Sequence, residues 1–398
     1  MTRLLLTADT VGGVWQYATD LAGGLVAHGI EPVLAMLGPR ATDAQKAAVP
    51  AGVELVETGL PLDWLAASPR EATEAGHALA RLATRLRADI VQLNAPAFAA
   101  AASFDQPVLA IAHSCVGTWW QAVRGGRIHP NYGWRAGMTR TGLENADRVV
   151  APSGAFAAML QHCYRLDEKT TVVRNGRRPV RLPDAKSESY AFTAGRLWDE
   201  GKNVGVLDWA ASRLSMPLRM AGPTAGPNGA SVAVRHGQVL GLLSEAEIAG
   251  QLAARPIFVS SALYEPFGLA VLEAAQAGCA LVLSDIPTFR ELWEGAARFV
   301  YPHDGGGFVR AIEEIAADAE LRARLGEAAR VRARDYTVER MAAGMAAIYR
   351  EMELKLEPLT FRGGVGVGLS KPLSLLGAQT RAPTPNPSPE GKGLRVLA

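Results

Sequence analysis

The stretch Tyr264-Glu265-Pro266-Phe267-Gly268-Leu269, continued to Glu273-Ala274, sets two carboxylates on either side of a Pro-Phe-Gly turn. Pro266 and Gly268 disfavour helix through the turn, whereas Leu269 to Ala277 is a run of good helix formers. Glu265 is therefore expected on a loop and Glu273 in the early part of a helix. Free backbone N–H groups at that helix start point into the space shared by the Glu265 side chain. Carboxylates accept bonds from sugar or ribose hydroxyls, and amides hold oxygens. The pattern suits a polyhydroxylated, phosphate-bearing ligand.

Upstream lies Ala194-Gly195-Arg196-Leu197, closely followed by Lys202-Asn203. It leaves the apolar run Tyr190–Ala194, which reads as a strand. Ligands in open α/β sheets bind at the carboxyl ends of strands. There Arg196 can grip two oxygens and Lys202 acts as a point charge. Two fixed cations would stabilise a departing diphosphate electrostatically. Together the two motifs, in this order and roughly 70 residues apart, resemble those of the retaining nucleotide-sugar glycosyltransferases of the glycogen-synthase-like group, family 4, which have the GT-B fold.

The rest of the chain fits two α/β units. Arg3–Thr7, Pro32–Leu37, Ile90–Leu93, Val108–Ala112 and Arg148–Ala151 read as buried strands, with Val172–Arg174 as a further short one. Ala8 to Gly13 reads as a loop and Val14 to His28 as a helix. A second series of strands is expected at Tyr190–Ala194, Leu218–Ala221, Ile257–Ser260 and Ala280–Leu283. The resemblance spans about residues 3 to 354. It implies two Rossmann-like domains facing across a cleft, residues 1–180 on the acceptor side and 181–335 binding the donor. A last helix, Tyr336–Leu354, returns to the first domain. Residues 358–398 carry six prolines and seven glycines, and read as a disordered tail.

Further residues bear on chemistry. Gly12-Gly13 alone reads as an ordinary strand–helix turn. Extended to Gly12-Gly13-Val14-Trp15 it resembles the family's opening, which contacts the donor diphosphate, with Asp9 in reach of an acceptor hydroxyl. A lone histidine such as His113 is more often a satisfied core residue, but Ala112-His113-Ser114 resembles the place where relatives contact the transferred sugar. Beyond it, Trp119, Trp120, Tyr132 and Trp134 interleave with Arg124, Arg127, Arg135 and Arg140. This region reads either as an acceptor-side lid or as packed core. Arg174-Asn175-Gly176-Arg177-Arg178 reads first as solvated charge. Ser153 is expected to be structural or a minor contact.

By resemblance, Glu273 holds the ribose hydroxyls, and Glu265 with the Phe267, Gly268 and Leu269 amides holds the sugar. Arg196 and Lys202 stabilise the leaving diphosphate, and Val239 and Leu240 touch the base. The resemblance implies retaining, hexosyl transfer without a metal. Glu265 would then orient the sugar rather than form a covalent intermediate.

Composition narrows the field. With 398 residues the chain can bury two cores, and 48% hydrophobic with 20% charged residues is ordinary for a globular protein. A net charge of +2 fits nucleic acid poorly, although aromatic-plus-basic texture occurs in single-strand binders. Three scattered cysteines form neither a metal motif nor a disulfide framework. A His-Glu-x-x-His motif, a P-loop and an Asp-x-Asp motif are absent from the sequence. A cytoplasmic enzyme is expected, with peripheral contact at the inner membrane face left open. The acceptor is left open among glycan, lipid-linked carrier and small molecule. A sugar-nucleotide epimerase and a noncatalytic nucleotide-sugar-binding protein are the rival readings.

Overall fold

The computed structural model describes residues 1–166, 170–185 and 188–354. The Pro/Gly-rich segment 358–398 lies outside the described residues.

Two parallel sheets organise the chain. The first contains β1 (Thr2–Asp9), β2 (Ile30–Leu37), β3 (Glu54–Glu57), β4 (Ile90–Leu93), β5 (Val108–Ile111), β6 (Arg148–Ala151) and β7 (Thr170–Val172). Their order is β3-β2-β1-β4-β5-β6-β7. The second contains β8 (Ala191–Ala194), β9 (Leu218–Ala221), β10 (Gln238–Gly241), β11 (Ile257–Ser260), β12 (Leu281–Ser284) and β13 (Arg298–Val300), in the order β10-β9-β8-β11-β12-β13. Each sheet starts at its middle, runs outward to one side, then crosses to the other. The order therefore reverses between β1 and β4 in one sheet and between β8 and β11 in the other. A crevice opens beyond the strand ends at each reversal.

Burial on both faces explains the continuous apolar runs. Leu5 faces a core containing Val91, Leu109's neighbour Ala110 and Phe156, whereas Leu4 and Leu6 face one containing Leu21, Leu25 and Met345. In the second sheet Phe192 and Phe258 point to one core, and Ala191, Ile257 and Val259 to the other.

The final helix, Val338–Leu354, belongs to the first lobe's core through Met341, Ala342, Met345 and Tyr349. It lies so close to the helix Gly13–Val26 that a Cβ on Gly24 would come 2.8 Å from that of Ala342. Tyr336, expected within this helix, precedes it. Its ring packs with Phe267 and Trp293 in the second lobe. The return crossing thus begins in one core and ends in the other.

The loop expected from Ala8 starts later, because β1 continues to Asp9 in full register with Leu37. The region after His113, expected as a loop, is two helices, Val116–Val123 and Pro130–Asn145. No described helix is long and apolar enough to cross a membrane.

Candidate active site

The ends of the central strands deliver the site. After β1, Gly12 adopts φ 124° and caps the helix Gly13–Val26. After β11, Gly268 adopts φ 93° and caps the helix Leu269–Gln276. Both angles lie where a side chain is strained. The two helix starts confront each other: a Cβ on Gly13 would lie 3.3 Å from Leu269 Cδ1. Both therefore direct unpaired amides and positive dipole ends at one volume.

Arg196 and Lys202 enter that volume from the loop after β8. Arg196 Nη1 sits 3.4 Å from the position of a Cβ on Gly12, so it faces the first lobe across the crevice. Its Nη2 donates to Asp199 Oδ2 at 3.1 Å, and its buried Nε has no hydrogen-bond partner. Lys202 Nζ donates to Glu265 Oε2 at 2.5 Å, with both side chains largely buried. Asn203 holds this loop in place: it takes the left-handed conformation, φ 54°, and its amide donates to the Ser261 and Pro302 carbonyls. The cleft so formed measures ≈ 690 Å³. Burial pushes Asp199 upward, but Arg196 and Lys202 outweigh it and leave the carboxyl below its ordinary range.

A second cavity of ≈ 570 Å³ adjoins it and shares Arg196, Trp198, Asp199 and His113. His113 lies at its floor, edge-on to Tyr17 at 4.3 Å. A buried relay positions it. The Tyr349 hydroxyl donates to Gln92, whose amide donates to Asn94 Oδ1 at 3.1 Å. His113 Nε2 lies 3.3 Å from that same oxygen. Asn94 Nδ2 donates to the Thr7 carbonyl, so Oδ1 is its acceptor end. His113 Nε2 must then carry the proton, leaving Nδ1 as acceptor. Burial lowers its pKa to about 3, which keeps the ring neutral.

Two carboxylates, Asp9 and Asp63, also line this cavity. Burial pushes Asp63 up to about 6; the Trp64 amide opposes this and the nearby Asp9 adds to it. Asp9 is raised by burial as well, against the Val11 amide and Arg196. Trp64 and Trp198, one from each lobe, stack at 6.4 Å. The Trp120 indole nitrogen is buried without a partner.

This arrangement has a counterpart in known proteins. Residues 11–181 match the model named Glycosyltransferase Family 4, and residues 235–332 match Glycosyl transferases group 1, one in each lobe. A glycogen synthase of Mycobacterium tuberculosis is 25% identical over 386 residues, covering 85% of this chain and 91% of the relative. The chain is a glycosyltransferase of GT-B architecture. The structure of sucrose-phosphate synthase from Thermosynechococcus elongatus superposes with a TM-score of 0.73 at 20% identity, covering 89% of this chain and all of that one. That of Anabaena HepE in complex with UDP and glucose gives 0.68 at 16%, covering 88% and 100%. Both share the GT-B fold of this glycosyltransferase.

The glycosyltransferase brings most of the sequence-predicted residues together. Gly12, Gly13, Arg196, Lys202, Glu265, Phe267, Gly268, Leu269 and Glu273 all line the larger cleft. Asp9, His113, Trp119, Trp120 and Arg124 line the smaller cavity. Val239 and Leu240 do not reach the cleft. They lie on the edge strand β10, and Leu242, Leu243 and Ile248 just beyond it form the apolar wall.

Trp119 and Arg124 do not form a free lid in this glycosyltransferase. The Trp119 indole donates to Asp199 at 3.0 Å and Arg124 pairs with Glu200, both across the lobes. Arg177 is not solvated charge. Its guanidinium is buried and bonds Asp20, Glu245 and Glu273 at 2.8–2.9 Å. Ser153 is structural, bonding the Pro266 carbonyl and capping the helix Gly154–Tyr164. Asp63 was not singled out from sequence, since a lone Asp beside Trp64 carries no local signal. Among the described residues, no group of three or more His, Cys, Asp or Glu side chains is placed to hold a metal ion.

Proposed function

We propose that the chain transfers a hexosyl group, with retention of anomeric configuration, from a nucleoside-diphosphate sugar in the larger cleft to a hydroxyl presented from the smaller cavity. The observation that carries this reading is the meeting of Arg196 and Lys202 with Glu265 and the two glycine-capped helix starts. Cations and amides together match a diphosphate, and a carboxylate beside them matches sugar hydroxyls. Lys202 and Arg196 would offset the charge that grows on the leaving phosphate. Glu265, held by Lys202, would orient the sugar. Retention then follows from attack on the face the diphosphate leaves, with its oxygen taking the acceptor proton. His113, neutral and with Nδ1 as its free acceptor, would accept a hydrogen bond from a sugar hydroxyl without serving as a strong base.

Glu273 would hold the ribose hydroxyls, and Leu242 and Leu243 would flank the base. The adjoining cavity favours transfer over isomerisation of the donor, which has no use for a second site. Its walls of Trp64, Trp120 and Trp198 and its paired Asp9 and Asp63 suit a polyhydroxylated acceptor. Similarity to a protein named glycogen synthase makes nucleotide-linked glucose the first donor class to try.

The test is thermal stabilisation by UDP-, ADP-, GDP- and dTDP-linked sugars and the free diphosphates. One base should stabilise the fold by roughly 2.7 kcal/mol at about a hundredfold excess over Kd. The Arg196→Ala/Lys202→Ala variant should lose that response. A folded protein that responds to no donor, or a product formed with inverted configuration, would refute the proposal.

A further inference from the structure

Arg177 occupies the point where both connections between the lobes pass. Its backbone N–H donates to the Tyr336 carbonyl on the return crossing, and its carbonyl accepts from Gln276 on the helix Leu269–Gln276. The next-door Gly176 packs so tightly there that a Cβ would fall 2.1 Å from the Thr337 carbonyl oxygen. The side chain is 9% exposed and splits its three nitrogens among three carboxylates. Nη1 reaches Asp20 on the helix Gly13–Val26 at 2.9 Å, Nη2 reaches Glu245 on the helix Glu245–Ala253 at 2.8 Å, and Nε reaches Glu273 at 2.8 Å. Arg178 adds a second cation 3.8 Å from Asp20.

The helices Gly13–Val26 and Leu269–Gln276 are the two whose starts point into the donor cleft. Arg177 ties them together behind the site. It also takes Glu273 Oε1, while Oε2 has no hydrogen-bond partner among the described residues and Glu273 lines the cleft. We propose that Arg177 is a positioning residue for the donor: it aims the free oxygen of Glu273 at the ribose and fixes the spacing of the two anion-binding helix starts. This rests on the donor reading of Glu273 given above. A lysine cannot replace it fully, because an ammonium lacks the planar fork that serves three carboxylates at once.

A positioning role for Arg177 leaves a signature that mere structural support lacks. Burial raises the Glu273 carboxyl, Arg177 opposes the rise, and Glu245 and Asp20 add to it. Without Arg177 the carboxyl would protonate at a higher pH, facing only Glu245 and Asp20. A protonated Glu273 accepts less well from ribose hydroxyls, so donor affinity should fall as pH falls.

The experiment is calorimetric titration of UDP, ADP, GDP and dTDP at pH 6 and pH 8, comparing wild type with Arg177→Met, Glu273→Gln and the double variant. Arg177→Met should weaken the bound diphosphate by about tenfold at pH 8 and more at pH 6. In the Glu273→Gln background the same change should cost under about threefold and show no added pH dependence. An equal loss in both backgrounds, or no loss at all, overturns the role of Arg177. Unchanged affinity in Glu273→Gln alone overturns the donor reading on which it rests, as does binding of none of the four by wild type. If Arg177→Met does not fold, Arg177→Lys decides: a loss of about threefold or more, larger at pH 6, supports the role, and wild-type affinity at both pH values overturns it.

Discussion

Lys202 and Glu265 form a pair whose members come from different strand ends. Removing Lys202 leaves the Glu265 carboxylate without its cation and, in the proposed reaction, the leaving phosphate without a partner. Lys202→Ala should therefore lower kcat by about a hundredfold while raising the donor KM far less. A steady-state analysis in which KM alone moves would contradict this role. Asp63 makes a different prediction. Its pKa near 6 exceeds the ordinary 3.8, so folding stability is highest when it is protonated and declines as pH rises from about 4 to about 6. Asp63→Asn should leave the midpoint unchanged at pH 4 and raise stability at pH 8 by about 1–2 kcal/mol, while weakening acceptor use. Denaturant melts at the two pH values check it. Glu265, Arg196 and Lys202 were legible because their neighbours in sequence mark turns and strand ends. Asp63 was not, because its property arises from Asp9 and from burial. Arg177 was misread because three arginines within five residues look alike until the fold turns one inward.

The helix Leu269–Gln276 depends on a left-handed start. An alanine at Gly268 would be strained at φ 93° and would press within 3.2 Å of Phe289. Gly268→Ala should cost about 1–2 kcal/mol of stability and reduce donor affinity by more than that loss explains, because the amides of the first turn tilt away. A melt paired with a diphosphate titration separates the two effects. Elements with high propensity and two-sided burial were readable from pattern alone. The short edge strands β3, β10 and β13 were not, since half-exposed strands such as Glu54–Glu57 lack a continuous apolar run. The helix Val116–Val123 was missed for another reason. Gly117, Thr118, Trp119 and Trp120 are weak helix formers, and tertiary contact makes the helix. Gly117 packs against Tyr164, where a Cβ would lie 2.5 Å from the hydroxyl.

The two lobes communicate with the site through the returning helix. Tyr349 on that helix bonds Gln92, which bonds the Asn94 that orients His113. Tyr349→Phe would leave the buried Gln92 oxygen unsatisfied, at a cost of about 1–3 kcal/mol, and loosen the histidine. Turnover should fall with donor binding unchanged, which a kcat and Kd comparison measures. The amino-acid sequence settled the fold class, the two-lobe order, the returning helix and most of the residues that line the larger cleft. These depend on short-range patterns: apolar runs buried on both faces, glycines that end strands, and charged residues a few positions from them. Tertiary structure alone decided which carboxylates share a cavity, which arginine is buried between three acids, and which aromatic residues bridge the lobes. Those properties depend on distances between segments remote in the chain, and on the loss of water around them, neither of which a local pattern carries.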